Sequence, residues 1–196
     1  GGRTYHPVSN QPKPLRRQFL RFQYEGRVEH LAEIDLASCY WVLLVSVLQE
    51  SAEKQRLIDL LTAGEFYQHL ESVCRKYNQP NYQELKIATQ IQCLFDILGR
   101  QPLFAALCGE FPALGRMLRQ LRQRGATSLS DYLNRLEGAF FVNRLLPAVH
   151  AAGIPCLTLH DAVLVPESTA LTVQNICAAL AADHFVLSGS ALLASD

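Results

Sequence analysis

Two aspartates, each next to a short apolar segment, are the residues of this sequence that best fit metal-assisted chemistry. Asp35 lies in the segment EIDLASCY, and Asp161 lies in TLHDAVLV. A carboxylate at the end of a buried strand needs a partner, and a divalent cation is a partner that two carboxylates can share. A pair of Mg²⁺ ions about 4 Å apart would activate an attacking 3′-hydroxyl and stabilise a leaving pyrophosphate. The alternative is that each aspartate only caps backbone N–H groups at a strand end or turn.

The apolar pattern around the two aspartates predicts the elements that would position them. Residues 30–37 alternate in polarity and predict a strand, and the continuously apolar residues 38–50 predict a buried helix directly after it. Residues 154–166 contain two short apolar runs on either side of a His-Asp pair, which is typical of a tight β-hairpin with a polar tip. Both aspartates are therefore expected at the ends of short strands.

The rest of the chain predicts mostly helices. The first 26 residues are rich in Pro, Asn and Arg and predict an extended or irregular lead-in. A last helix over residues 168–184 and a closing strand over 185–187 are expected after the hairpin. The other candidate helices cover residues 55–62, 65–77, 82–98, 111–124 and 130–152.

These elements predict an α+β fold, in which a small antiparallel sheet is backed by helices and a mostly helical insertion covers about residues 51–128. The composition indicates one soluble domain with or without a lobe, because 49% of the 196 residues are hydrophobic and no apolar run reaches the length of a membrane span. Six cysteines without a CxxC spacing favour reduced thiols in a cytoplasmic protein over a zinc site or a disulfide framework.

The balanced net charge is a sum over unlike parts. The chain has 18 Lys and Arg and 18 Asp and Glu, but no Lys or Arg follows Arg144. Basic residues concentrate in the first 31 residues and in the segment RMLRQLRQR at 116–124. Such asymmetry can build a basic face for a polyanion, and the alternative is an ordinary solvated surface.

Several short motifs occur in a specific order along almost the whole chain. A Gly-Arg pair and an Asn precede the first aspartate, a Glu-Gly-Ala triplet lies ahead of the hairpin, and His-Asp is followed by Val-Pro. This order resembles the palm of the family-A DNA polymerases and of the related single-subunit phage RNA polymerases, and is similar to polymerase-like proteins of phages and mobile elements. The matching residues are Gly2, Arg3, Asn10, Asp35, Glu137, Gly138, Ala139, His160, Asp161, Val165 and Pro166.

The resemblance implies a template-directed nucleotidyltransferase that uses two Mg²⁺ or Mn²⁺ ions, with primer–template nucleic acid and nucleoside triphosphates as partners. Asp35 and Asp161 would bind the metal ions, and the backbone carbonyl of Leu36 would add a ligand. Residues 1–50 and 129–196 would form the palm, and residues 51–128 would form reduced helical fingers. The family's thumb is absent from this order of motifs, so an upstream domain or a partner protein is expected to replace it.

The resemblance also implies roles in nucleotide binding. Lys86 would pair with the triphosphate and act in catalysis, and Tyr40 would exclude a sugar 2′-hydroxyl and so favour deoxynucleotides. The family's helix carries an Arg four residues before the Lys, where this chain has Tyr82. Arg75 or Lys76 would replace that Arg from a neighbouring helix.

A further departure concerns the aromatic residue that the family has eight residues after the Lys. Leu94 occupies this place and Phe95 follows it, so either the register differs by one residue or the helix is remodelled.

The remaining implied contacts are with nucleic acid. Arg3 would reach the minor groove of the primer–template duplex, His160 would lie near the primer terminus, and arginines of the lead-in and of the 116–124 helix would contact phosphates. The predicted nucleic-acid-binding residues are Arg3, Asn10, Arg16, Arg17, Arg116, Arg119, Glu137 and His160.

Two alternatives to a DNA polymerase stay open at this point. One is a palm module that binds nucleic acid without catalysis, and the other is an RNA-synthesising or primase-like enzyme.

Overall fold

Two antiparallel sheets carry the strands in the part of the chain that the structure describes. The computed structural model describes residues 12–78, 84–95, 101–123, 128–159, 161–185 and 193–195. A hairpin of β1 and β2 forms the smaller sheet, and the larger sheet has the strand order β4-β5-β3-β6. The strands are β1 (Phe22–Tyr24), β2 (Arg27–Glu29), β3 (Leu31–Leu36), β4 (Leu157–Leu159), β5 (Ala162–Pro166) and β6 (Leu193–Ser195).

Helices make up most of the remaining described chain. Two of them continue into π-helical segments, Gln90–Phe95 and Phe141–Leu145, and a 3₁₀ turn, Glu167–Thr169, precedes the last one. The α-helices are α1 (Lys13–Phe19), α2 (Cys39–Ser46), α3 (Ala52–Thr62), α4 (Phe66–Lys76), α5 (Leu85–Thr89), α6 (Pro102–Glu110), α7 (Pro112–Gln123), α8 (Ser128–Phe140), α9 (Leu146–Ala151) and α10 (Ala170–Phe185).

The chain divides into two compact units. Residues 1–40 and 134–196 form one, here called the sheet unit, and residues 41–133 form the other, here called the helical unit. The division falls inside α2 and inside α8, whereas the sequence places the boundaries at residues 50 and 128. Every described strand belongs to the sheet unit, and the described elements of residues 41–133 are helices.

Strand β5 is the centre of the sheet unit. All five of its residues are buried, and β3 and β4 pair with it in antiparallel register on either side. Helix α10 packs against β3 and β5. The α+β fold with a small antiparallel sheet backed by helices is thus confirmed.

Capping interactions fix the helices of the helical unit. Ser51 accepts a hydrogen bond of 3.1 Å from the backbone N–H of Lys54 and so caps α3. Glu53, in the first turn of α3, accepts backbone hydrogen bonds from Ala113 and Leu114 at 2.9 and 2.8 Å. One carboxylate therefore satisfies two N–H groups at the start of α7 and ties the two helices together.

The prediction of an irregular lead-in is wrong for the described part of the first 26 residues. Pro14 lies in the first turn of α1, where its missing N–H costs no helical hydrogen bond. Glu25 and Gly26 have φ of 48° and 75°, as a two-residue hairpin turn of type I′ requires, and they join β1 to β2. Proline starts a helix here and glycine completes a turn, so neither residue marks irregular structure in this segment.

Two further boundaries differ from the sequence prediction. Helix α2 ends at Ser46 and not at residue 50. Helix α6 occupies residues that the sequence analysis leaves without an element, because Pro102 begins this helix and does not only end the preceding one. The closing strand predicted at 185–187 does not begin at Phe185, which is still helical, and residues 186 and 187 lie outside the described ranges.

No helix within the described ranges combines the length and the apolar character needed to cross a bilayer.

Candidate acidic site

Strand pairing places the two predicted metal-binding aspartates at the same end of neighbouring strands. Asp35, the fifth residue of β3, lies opposite Ala162, the first residue of β5. Leu159 of β4 also pairs with Ala162, so a two-residue turn that includes Asp161 joins β4 to β5. The backbone N–H of Leu36 donates a hydrogen bond of 3.2 Å to the carbonyl oxygen of Asp161. The turn is therefore held directly against the end of β3.

The side chains of β3 divide between the two faces of the sheet. Ile34 and Leu36 point to one face and are 2% and 1% exposed. Glu33 and Asp35 point to the other face and are half-buried, and the Oδ1 atom of Asp35 is buried. Asp161 lies in the turn, where the alternation of faces no longer applies, and it is also half-buried.

A third carboxylate and a thiol lie in the same region of the sheet unit. Burial raises the pKa of the Cys39 thiol well above its usual value, and the negative charges of Asp161, Glu137 and Asp35 raise it further. All three carboxylates must therefore be near this thiol at the start of α2.

The backbone between Asp35 and α2 is strained. Ser38 has a φ of 55°, which a non-glycine residue adopts at a cost of order 1 kcal/mol. This conformation lies in the two-residue turn that ends β3 and starts α2. It sets the direction in which α2 leaves the strand, with Cys39 as its first residue.

The donor set fits a hard divalent cation. Two carboxylates at the end of adjacent strands are a sufficient protein contribution for Mg²⁺, which keeps several waters and binds substrate phosphates. Leu36 could contribute only its backbone carbonyl, because its side chain is apolar and buried. Within the described ranges, no group of three or more His, Cys, Asp and Glu side chains is arranged to hold a metal ion. Asp35 and Asp161 are thus the acidic side chains that we assign to the site.

Lys86 lies in the helical unit, on α5, and is exposed. Its helix continues into the π-helical segment Gln90–Phe95, which adds about one residue per turn relative to an α-helix. Phe95 consequently takes nearly the angular position that residue 94 would have in an uninterrupted α-helix. Leu94 is 2% exposed and Phe95 is 44% exposed. The segment therefore departs from a regular α-helix, and of these two residues Phe95 is the one on the solvent side.

The same segment exposes a row of large apolar side chains. Ile87, Ile91 and Phe95 follow one another at intervals of four residues and are 48%, 57% and 44% exposed. A step of four residues covers slightly more than one turn of an α-helix and slightly less than one turn of a π-helix. The angular offsets in the two segments are therefore opposite in direction and partly cancel. The three side chains consequently form a straight apolar row beside Lys86.

Lys76 is engaged in an ion pair. Its Nζ lies 2.8 Å from Oε2 of Glu110, and Arg56 binds the other oxygen of the same carboxylate at 2.7 Å. The hydrogen bond to Glu110 raises the pKa of Lys76. Arg75 is exposed in the last turn of α4, where a cation interacts favourably with the helix dipole. Nucleotide binding by Arg75 or Lys76 stays a prediction, and for Lys76 it would compete with Glu110.

The arginines of α7 have different environments. Arg116 and Arg119 are exposed, as a phosphate-binding face requires. Arg122 lies over the ring of Phe104 at 4.0 Å and donates a hydrogen bond of 2.5 Å to the carbonyl of Cys93. Arg119 and Arg122 both approach Phe104, and Arg122 ties α7 to the π-helical segment. Two of the three arginines that the spacing places on one side, Arg119 and Arg122, therefore make contacts within the protein.

The other predicted nucleic-acid contacts fall in the sheet unit or outside the described residues. Arg16 is buried and donates a hydrogen bond of 3.2 Å to Glu33 of β3. Glu137 is 2% exposed, which separates its side chain from solvent. Tyr40 is half-buried in the first turn of α2. Arg17 lies in α1, and Arg3, Asn10, Tyr82 and His160 lie outside the described residues.

Sequence reasoning missed two features of these sites. Glu110 is the last residue of the apolar helix α6 and belongs to no motif, so only its position between Arg56 and Lys76 identifies it. Glu33 lies two residues before Asp35 and so on the same face of β3. Two acidic residues on one face of a short strand are unusual, and this pattern in the sequence could have identified Glu33.

A search of known protein-family models finds none that matches this chain, and a search of curated proteins finds no significant match.

Proposed function

We propose that this protein is a template-directed nucleotidyltransferase of the DNA polymerase type. The observation that supports it most is the pairing of β3 with β5, which brings Asp35 and the turn containing Asp161 to one end of the sheet. Two-metal nucleotidyl transfer needs two carboxylates in such a position. The order of motifs along the sequence supplies the rest of the argument.

Asp35 and Asp161 would hold the divalent ions, Mg²⁺ or Mn²⁺, with the carbonyl oxygen of Leu36 as a further ligand. When bound, the metal ions supply Lewis-acid activation of a primer 3′-hydroxyl and balance the charge on the leaving pyrophosphate. The backbone hydrogen bond between Leu36 and Asp161 would keep the carboxylates in register as substrates enter and leave.

Residues of α5 and its π-helical continuation would hold the nucleotide. The ammonium group of Lys86 is exposed and could neutralise charge on a triphosphate. The apolar row of Ile87, Ile91 and Phe95 offers a flat surface of the kind on which a base can pack. Tyr40 would leave no room for a 2′-hydroxyl, and deoxynucleotides are the proposed substrates.

The proposed partners are a primer–template duplex and nucleoside triphosphates. Arg116 and Arg119 would contact the phosphate backbone of the duplex. Six free buried cysteines suit a reducing compartment, which supports a cytoplasmic location.

The direct test is extension of a labelled primer on a DNA template, with Mg²⁺ or Mn²⁺ and each of the four deoxynucleotides. We expect extension that stops when a chelator is added and that requires a complementary nucleotide. Ribonucleotides and an unprimed template form two further arms, which identify an RNA-synthesising or primase-like enzyme if they give more product.

A nucleic-acid-binding module without catalysis is the second candidate. The ion pairs of Lys76 with Glu110 and of Arg16 with Glu33 favour it, because two cations assigned to substrates already have protein partners. Duplex binding without extension in either metal ion, across all nucleotide arms, would replace the proposed activity with this one.

A further inference from the structure

Helix α1 points a charge into the protein and large apolar side chains into solvent. Arg16 is 8% exposed, whereas Leu15 is 42% and Phe19 is 69% exposed. A surface helix normally has the reverse arrangement, with its apolar side facing the core. One exposed apolar side chain would need no explanation, but these two lie one helical turn apart on the same helix. The packing of the sheet unit does not account for them.

The ion pair explains how α1 is held. A buried guanidinium requires a partner, and Glu33 provides one at 3.2 Å from a side chain that is 12% exposed. Glu33 and Asp35 occupy alternate positions on the same face of β3, about 7 Å apart along the strand. Arg16 therefore anchors α1 on the face of the sheet that carries Asp35.

The sequence of α1 and of the residues that follow it is strongly basic. Residues 12–24 include Lys13, Arg16, Arg17 and Arg21 and contain no Asp or Glu. Arg21 lies two residues after the end of the helix and is exposed. An exposed aromatic side chain bordered by cations is the combination that binds single-stranded nucleic acid, since any base can stack on the ring and cations follow the phosphates.

We propose that the outward face of α1, formed by Leu15 and Phe19 and followed by the exposed Arg21, binds single-stranded nucleic acid. A base stacks on Phe19, Leu15 extends the apolar surface, and Arg21 binds an adjoining phosphate. Arg16 is a positioning residue that orients the helix through Glu33. The inference rests on the proposed function only for the identity of the strand, which would be an unpaired template or primer segment beside the acidic site.

The test is the fluorescence anisotropy of a labelled oligothymidylate of about 16 nucleotides, titrated with the protein in a chelator and without nucleotides. We expect Phe19→Ala to weaken binding about tenfold, as loss of one stacked base should. Phe19→Trp should retain binding. The matched control is Leu171→Ala, because Leu171 of α10 is also 69% exposed in the sheet unit but lies in a stretch of the sequence, residues 145–196, that contains no Lys or Arg.

Salt dependence and lipid binding provide the second readout. Arg21→Ala should reduce the slope of log affinity against log salt by about 0.7, the value for one phosphate of a single strand. Equal affinities of Phe19→Ala and Leu171→Ala would overturn the proposal. The proposal would also be overturned if Phe19→Ala weakened binding to phosphatidylserine vesicles but not to the oligonucleotide. That result would assign the face to a membrane surface.

The oligonucleotide-binding assay and the primer-extension assay test the two proposals separately. Extension by both the wild-type protein and Phe19→Ala, with equal oligonucleotide affinities, overturns this inference and leaves the proposed function intact. Phe19-dependent oligonucleotide binding without extension in any arm supports the inference and removes the proposed activity.

Discussion

The backbone N–H of Leu36 donates a hydrogen bond of 3.2 Å to the backbone carbonyl oxygen of Asp161. It continues the β3–β5 ladder one residue beyond the pair of Asp35 and Ala162 and so reaches the turn of the hairpin. Backbone contacts therefore hold Asp161 next to Asp35. Changes to either carboxylate should alter chemistry at the site and leave the strand end in place.

Asp35→Asn and Asp161→Asn should each lower the rate of primer extension by about 1,000-fold or more. Each substitution keeps the size of the side chain and removes a charged metal ligand, which corresponds to several kcal/mol of transition-state stabilisation. Single-turnover extension with Mg²⁺ measures the rate, and thermal unfolding verifies that the fold is retained.

Asp183→Asn is the matched control, since Asp183 is an exposed carboxylate of the same unit whose partner is Arg144 at 2.6 Å. It should extend primers at the wild-type rate. Extension that survives in either site variant would remove the assignment of that aspartate to the metal ions.

Lys86→Ala should lower kcat/KM for the incoming nucleotide by about 10- to 100-fold, because an exposed cation near a leaving phosphate stabilises the charge that develops there. Steady-state extension at varied nucleotide concentration gives this ratio. The comparison variant is Lys76→Ala. It removes an ion pair with Glu110 and should change stability more than kcat/KM. A larger kinetic loss in Lys76→Ala than in Lys86→Ala would reverse the two assignments.

The sequence predicts local elements of the site better than the contacts made by its cations. β3 and the hairpin follow from short apolar runs, and their pairing in one small sheet is confirmed. The π-helical segment that exposes Phe95 instead of residue 94 has no such local pattern, because it depends on packing around Cys93 and Leu94.

Arg16 and Arg122 show the same limit. Both occur in basic runs that read as phosphate-binding faces, yet Glu33 binds the first, and the second contacts Phe104 and a backbone carbonyl. These partners lie 17 to 29 residues away along the chain or in another helix, so spacing along one element does not reveal them.

Tyr40→Gly should increase the use of ribonucleotides relative to deoxynucleotides by about tenfold or more, because it removes the bulk that would exclude a 2′-hydroxyl. Competition between the two nucleotide types in primer extension measures the change. Tyr40→Phe keeps the bulk and serves as the control for loss of the hydroxyl group. Glycine also costs about 1 kcal/mol inside a helix, so unfolding must be measured for both variants. An unchanged preference in a folded Tyr40→Gly protein would exclude this residue as the sugar selector.

Gly115→Ala should destabilise the protein by about 1–3 kcal/mol, although alanine favours helices. A Cβ atom at residue 115 of α7 would lie 2.8 Å from Sγ, 2.9 Å from Cβ and 3.0 Å from Cα of Cys108, so α6 and α7 would have to separate. Urea unfolding measures the loss. The control is Gly109→Ala, whose Cβ would meet the end of the Tyr77 side chain at 2.7 Å. Since that side chain can move, its effect should be smaller, and the opposite ranking would contradict the close approach of the two helices.

Glu110 should contribute stability that is lost in acid. The hydrogen bond from Lys76, with a further one from Arg56, outweighs burial and lowers the pKa of this carboxyl from 4.5 to about 2. Between these two values the unfolded chain binds more protons than the folded one, so stability falls as pH drops from 4.5 towards 2.

Glu110→Gln should therefore cost about 1–2 kcal/mol at neutral pH, a value reduced by solvent screening of the half-exposed Arg56 and Lys76. Urea unfolding of both proteins from pH 7 down to about pH 2 should show the difference shrink over that window. Glu71→Gln, at an exposed position of α4, should show no such pH-dependent difference, and a constant cost of Glu110→Gln across the range would mean that its charge is not what stabilises the helices.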